Sequence, residues 1–438
     1  MHRWICLFAG AIMLVTCGSA LAQTDLLESH PDLEPLVDFL GESGLSVMDL
    51  VGYKAVKEAM KELNFSKGDP DILALTNAGY VANIGNYSTE RALNGLMMTG
   101  GFSSGKGNLV NVHSAYNKPL WFAFFDKETG DCIYLEVNGS YLEEWLKKES
   151  EGVANLSAFL ELDPDILFSK ISKENIDPDE LITREGAKAW HHNFEEKTFG
   201  GNEFSIITIS SVWSKGMSNE LLRSAELHNH ICPGLTSGYL IAEYLKKHYP
   251  LKDDEKWVVW AVPPWCKDDA LQQILDATVG KRCMAVMYIP KNISNKLPAS
   301  YKDIAGIYVK LDKDGNARAI VLGFNWSKVC SDCNISRKDF RDFKSYKWWW
   351  ARLRADLILM EHEPEDYISV LMEKDLGNQG SVKMLNARWM AVGANPLVEL
   401  GILEETETPA KKTPSTISIA VIAIILTAIL LYIARRKR

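Results

Sequence analysis

The sequence predicts an α+β protein made of two successive domains, each a helix-flanked, mostly antiparallel sheet, with a transmembrane helix at the C-terminus. Three observations lead there. At 438 residues the chain is long for a single domain. In each half, helical periodicity gives way to a turn and then to short apolar runs of strand length: 108–113, 120–125 and 132–137 in the first, 283–288, 306–311 and 317–323 in the second. Finally, 417–434 is apolar apart from Ser418, Thr427 and Tyr432, about the length needed to cross a bilayer.

Read in order, residues 1–22 have the layout of a secretory signal peptide: basic His2-Arg3, an apolar run from Ile5 to Val15, and Ala20-Leu21-Ala22 as a small-residue cleavage site. The first domain is expected over 23–170. Its turn, Gly100 to Gly107, has the glycine and lysine spacing of a phosphate-binding loop, but Gly107 stands where the Mg²⁺-binding hydroxyl must be, so a turn leading into a strand is the better reading. A connector, 171–215, contains Trp190-His191-His192 and suggests no function. The second domain is expected over 216–404. After it, 405–416 is rich in Thr, Pro, Glu and Lys and reads as a stalk; 417–434 is the expected anchor, and 435–438 a basic cytoplasmic tail.

The densest chemistry lies in the second domain. His228-Asn229-His230-Ile231-Cys232-Pro233-Gly234 brings two imidazoles and a thiol into seven residues, a pattern suited to a transition metal, zinc above all. Pro233 suits a first helical position, and apolar residues recur at helical spacing up to Tyr249-Pro250, so Cys232 falls at an N-cap where the helix dipole favours thiolate. Cys266 occupies a similar place: 257–262 reads as a strand, Pro263-Pro264 ends it, and 267–277 reads as a short helix.

These segments resemble the FmdE family, named for formylmethanofuran dehydrogenase after a gene neighbourhood in methanogens. Members carry H-x-H-x-C-P-G, then C-x-x-D-A-x-Q running into a T-x-G-K turn, matched here by 228–234, 266–272 and 278–281. The resemblance implies an α+β domain with a metal held by His228, His230, Cys232 and Cys266, with Asp269 and Lys281 near the site. The chain departs from the pattern at Asn229, where glycine is common, and at Asp276-Ala277-Thr278, which replaces Gly-Cys-Thr; a further thiol is lost there or is supplied by Cys283. The first half resembles the same family at Thr99 to Leu109. With Gly44 to Tyr53 aligned on the Gly238-Tyr239 end of the metal segment, the chain reads as a tandem duplication of period roughly 180 residues. Glu42, Gly44, Ser46 and Ser88 then stand opposite His228, His230, Cys232 and Cys266, so the first copy is expected to have lost its metal.

Cys330-Ser331-Asp332-Cys333 is a C-x-x-C pair without the second pair that a zinc ribbon needs. It reads as a redox dithiol, a structural disulfide, or half of a metal site completed by Cys283, His191, His192 or His362, with an oxidisable pair preferred outside the cell. Trp348-Trp349-Trp350 lies in a segment of helical character, 343–360, dense enough in apolar residues to favour core packing over a binding patch. Sequons at Asn64, Asn86, Asn138, Asn155, Asn292, Asn325 and Asn334 suggest a glycosylated extracellular ectodomain, and the net charge of −9 argues against nucleic acid as a partner.

Two functions fit. One is a membrane-anchored extracytoplasmic protein that holds a transition metal at the cell membrane for a small ligand or surface protein. The other is a metal-dependent redox or hydrolytic enzyme with an open coordination position. Export argues against a role as a component of formylmethanofuran dehydrogenase. The metal pocket is expected to face the first copy or the connector.

Overall fold

The computed structural model describes residues 26–80, 83–404 and 435. The expected signal peptide (1–22), stalk (405–416), anchor (417–434) and, apart from Arg435, basic tail (435–438) lie outside them. No helix among the described residues is long and apolar enough to cross a membrane. For the described residues the fold class is therefore corrected to α+β with no membrane-spanning helix, and the anchor that hydropathy suggested at 417–434 lies outside them.

The first sheet contains β1 (Ile72–Thr76), β2 (Leu109–Asn111), β3 (Trp121–Asp126), β4 (Asp131–Val137) and β5 (Phe168–Asn175), in the order β2-β1-β3-β4-β5. Only β1 and β2 run parallel, with Ala74 opposite Leu109. The second sheet contains β6 (Lys256–Ala261), β7 (Met284–Val286), β8 (Ile304–Leu311), β9 (Asn316–Phe324) and β10 (Ile368–Asn378), in the order β10-β9-β8-β6-β7. Again one pair is parallel, β6 with β7, with Val259 opposite Met284. Strand for strand, the two sheets have the same order and the same senses.

Two of the strands that apolar runs do not reveal are the long outer ones. In β5 (FSKISKEN) and β10 (ISVLMEKDLGN) the charged residues are exposed or half-buried and burial is partial, because an edge strand faces solvent along much of its length. β5 also continues past the domain edge expected at residue 170.

Alternation divides each strand between two cores. In β1, Ile72 and Ala74 join a cluster with Val47, Leu50 and Val51 of α1 (Val47–Leu63). Leu73 and Leu75 point to the other face, into a cluster shared with α2 (Glu203–Ser214), α3 (Asn219–His228), α4 (Pro233–His248), α5 (Lys267–Ile274) and α6 (Lys347–Met360). This shared core joins the two halves of the chain. Its central helix, α2 (EFSIITISSVWS), is largely apolar on all sides, as a helix enclosed by others must be. Trp349 and Trp350 are buried in the same core, where their indole N–H groups donate to His191 Nδ1 and to the Ile182 carbonyl.

The first sheet also holds α3 directly. The backbone N–H of Asn111, on β2, donates to the buried Glu226 carboxylate at 3.0 Å, and that of His113 donates to the Glu226 carbonyl at 3.0 Å. Two residues beyond Glu226, the helix ends at His228.

Candidate metal centre

Three helix ends build the site. Ser218 caps the start of α3, and the helix ends where Asn229 takes a left-handed φ of 65°. The chain then runs through His230 and the fully buried Ile231, whose N–H donates to Thr208 Oγ1 of α2 at 3.1 Å. Cys232, extended and buried, precedes Pro233 at the start of α4. Cys266 occupies the equivalent position before α5.

What lets the two cysteines meet is a pair of glycines one turn apart on α4. A Cβ on Gly238 would collide with the Lys267 carbonyl, and one on Gly234 would stand 2.9 Å from Cys266 Cβ. Only hydrogen at these positions allows α5 to pack so closely. The signal was present in the sequence as C-P-G followed four residues later by Gly.

One ligand atom each from His228, Cys232 and Cys266 lie within 4.8 Å of one another. Cys232 Sγ is 3.7 Å from His228 Nε2. For zinc bonds of ~2.3 Å to sulfur and ~2.0 Å to nitrogen, tetrahedral angles place S and N about 3.5 Å apart, so this donor set fits such an ion. Behind the imidazole, His228 Nδ1 is 2.6 Å from Asp269 Oδ2, and Gln272 Nε2 donates to Asp269 Oδ1 at 3.5 Å. A carboxylate on Nδ1 orients the ring with Nε2 toward the thiols, the arrangement usual behind metal-bound histidines.

The electrostatics describe a partly charged trio. The Cys266 thiol is drawn down to about 4, first by a hydrogen bond from Cys232, against burial, and then by His228. Cys232 is pushed well up by that same bond to Cys266 and by burial. Burial opposes a charge on His228, but hydrogen bonds to Asp269 and Cys266 prevail and lift it to about 9. One thiolate, one thiol and an imidazolium thus share protons that a metal ion would displace.

His230 is not in this group of three. Its Nδ1 lies 2.7 Å from Asn229 Oδ1, and its ring packs against His228 at 4.4 Å and Phe204 at 5.1 Å between centroids. Burial, with the positive charges of His228 and Arg352, lowers it to about 3. Placing His228 and His230 on one side supposes an extended backbone, whereas the helical end at His228 and the left-handed Asn229 redirect the chain.

Lys281 pairs with Asp276 at the surface. Cys283 packs under the second sheet, its Sγ 3.6 Å from the Lys281 carbonyl. Cys330 and Cys333 are free thiols, half-buried and buried respectively. None of these four joins the trio, and no second group of three or more such ligands forms among the described residues.

Above the cysteines lies a cavity of about 740 Å³, walled by Trp265, Trp326, Arg337, Phe340, Arg341 and Arg352 among others. It is bounded by residues of the second half and not, as expected, by residues 23–215. The 326–352 segment comes to it because α6 packs along α4 in the shared core. Sequence reasoning missed these residues, although Arg337-Lys338-Asp339-Phe340-Arg341 is a basic run in an acidic chain.

In the first half, Ser46 caps α1 in a capping box with Asp49. The fully buried Asp49 accepts from Arg91 Nη2 at 2.5 Å and from Asn94 Nδ2 at 2.9 Å. An ion pair therefore occupies the start of α1. Ser88 Oγ donates instead to Glu90 at the surface.

A mixed fold with a histidine and two cysteines gathered at helix ends defines a candidate metal-binding protein. Residues 227–327 match the FmdE family, described as "FmdE, Molybdenum formylmethanofuran dehydrogenase operon", so the chain carries an FmdE-family domain. No curated protein matches the chain.

Proposed function

We propose that this chain is a metal-binding protein whose FmdE domain holds one transition-metal ion, zinc by its donor set, through His228 Nε2, Cys232 Sγ and Cys266 Sγ. The observation that carries the reading is the convergence of these three atoms within 4.8 Å with Asp269 hydrogen-bonded behind the imidazole. Two thiolates and one neutral imidazole suit zinc better than magnesium or calcium, which prefer oxygen ligands.

Both cysteines line the cavity, which favours a centre with an accessible fourth position over a closed structural one. That accessibility supports a second reading, a metal-dependent enzyme of hydrolytic or redox class. When bound, the ion would supply Lewis acidity at that position. The protein's own part would be to orient His228 through Asp269 and to present the cavity wall to a ligand.

The test is elemental analysis of the purified chain. We expect one transition-metal ion per chain, marked loss in Cys232→Ser and in Cys266→Ser, and no loss in Cys330→Ser. Full metal content in the Cys232→Ser/Cys266→Ser double variant, or two ions bound with similar affinity, would refute the assignment.

A further inference from the structure

The chain carries a net charge of −9, yet the cavity over Cys232 and Cys266 is lined by Arg337, Lys338, Arg341 and Arg352 and by no carboxylate. Three of these cations, Arg337, Lys338 and Arg341, are poorly matched within the protein. Arg337 approaches Asp303 only to 3.6 Å. The side chains of Lys338 and Arg341 make no ion pair or hydrogen bond among the described residues. Deeper in, Arg352 is better held: it donates one N–H to the Trp348 carbonyl at 2.7 Å and lies over the Trp348 and Phe343 rings, and burial works against its charge while the Cys232 and Cys266 sulfurs and Asp356 favour it. Four cations converging on one concave space repel one another and concentrate anions from solution.

The rest of the wall is chosen differently. Trp265, Trp326 and Phe340 present aromatic surface, with the two indoles edge to face at 6.2 Å. Such surfaces take a ring by stacking or edge contact, and a volume of about 740 Å³ is that of a site for a whole small molecule. Guanidinium groups in turn match carboxylate and phosphate oxygens in pairs.

We propose that this cavity binds a planar organic anion carrying two or more carboxylate or phosphate groups, with its ring against Trp265, Trp326 and Phe340 and its charges on Arg337, Lys338, Arg341 and Arg352. The inference rests on the proposed metal centre in placing one end of the ligand beside the ion. Two thiolates neutralise a divalent ion, the imidazole adds no charge and the Asp269 carboxylate behind it offsets Arg352, so the selection of an anion falls to Arg337, Lys338 and Arg341 around the cavity. The cations that recognise the ligand are separate from the metal ligands, so the two assignments can fail independently.

The experiment is calorimetric titration of the full chain, its metal content measured in parallel. The probes are benzene-1,3,5-tricarboxylate, phenyl phosphate and the uncharged benzene-1,3,5-tricarboxamide. Binding of either anion, weakened by added salt, with no binding of the amide, is the expected result; the tighter of the two anions identifies carboxylate or phosphoryl as the preferred group. Lys338→Glu with Arg341→Glu should weaken the anion roughly tenfold or more while leaving metal content unchanged. The Cys232→Ser/Cys266→Ser variant should still bind it. Loss of binding in that metal-free variant would mean that the probe merely ligates the ion, and the proposal would fall with the metal centre intact. Failure of both anions to bind, equal binding of the amide, or indifference to the double charge reversal would also overturn it.

Discussion

Replacing Asp269 by Asn separates two effects that the carboxylate exerts on His228. The 2.6 Å contact to Nδ1 orients the ring with Nε2 toward the cysteines, and it also helps lift the imidazole to about 9. The first effect favours metal; the second favours the proton that competes with it. Loss of a carboxylate behind a histidine ligand weakens metal affinity by roughly 10–100-fold. A group raised to about 9 is protonated below that pH, so in the unaltered protein the imidazolium alone lowers affinity at pH 7 by roughly fiftyfold relative to pH 9. Affinity should therefore rise from pH 7 toward pH 9, and the raised Cys232 thiol adds to the slope. In Asp269→Asn part of the lift is lost, Cys266 keeping the rest, and the proton competes less, so the deficit should be smaller at pH 7 than near pH 9. Competition against a chromophoric chelator, repeated across that range, measures both curves. Equal affinities for the two proteins at pH 9, or parallel pH curves, would show that Asp269 does not support His228.

Gly238→Ala sets a methyl group against the Lys267 carbonyl and must push α5 from α4. Overpacking of this kind costs about 1–3 kcal/mol, so both the thermal midpoint and the metal content should fall, as scanning calorimetry with elemental analysis would show. Arg91→Met removes the partner of the buried Asp49 at the start of α1. Because Asp49 keeps its bonds from Asn94 and from the Ser46 backbone, the expected loss is about 1–3 kcal/mol in urea unfolding, with metal content unchanged.

Local signals in the sequence were enough to place the cysteines. Pro233 after Cys232 and the strand-ending prolines before Cys266 put both thiols at helix starts, and short apolar runs marked most of the inner strands, because capping chemistry and burial are each recorded within a few residues of chain. Four features had no such record. His230 leaves the ligand group because a left-handed residue at Asn229 turns the backbone, something an H-x-H spacing does not encode. Asp269, which only the family resemblance put near the site, reaches His228 because Gly234 and Gly238 let one helix lie close against another. The outer strands β5 and β10 alternate too weakly, being exposed along an edge, for periodicity to reveal them. The cations over the thiols come from a segment that lies far from both cysteines in sequence, brought there by packing of α6 in the core shared by the two halves. A ligand motif is a property of neighbouring residues, whereas the space around it is enclosed by whichever distant elements bury their apolar faces nearby, and only the folded chain decides which those are.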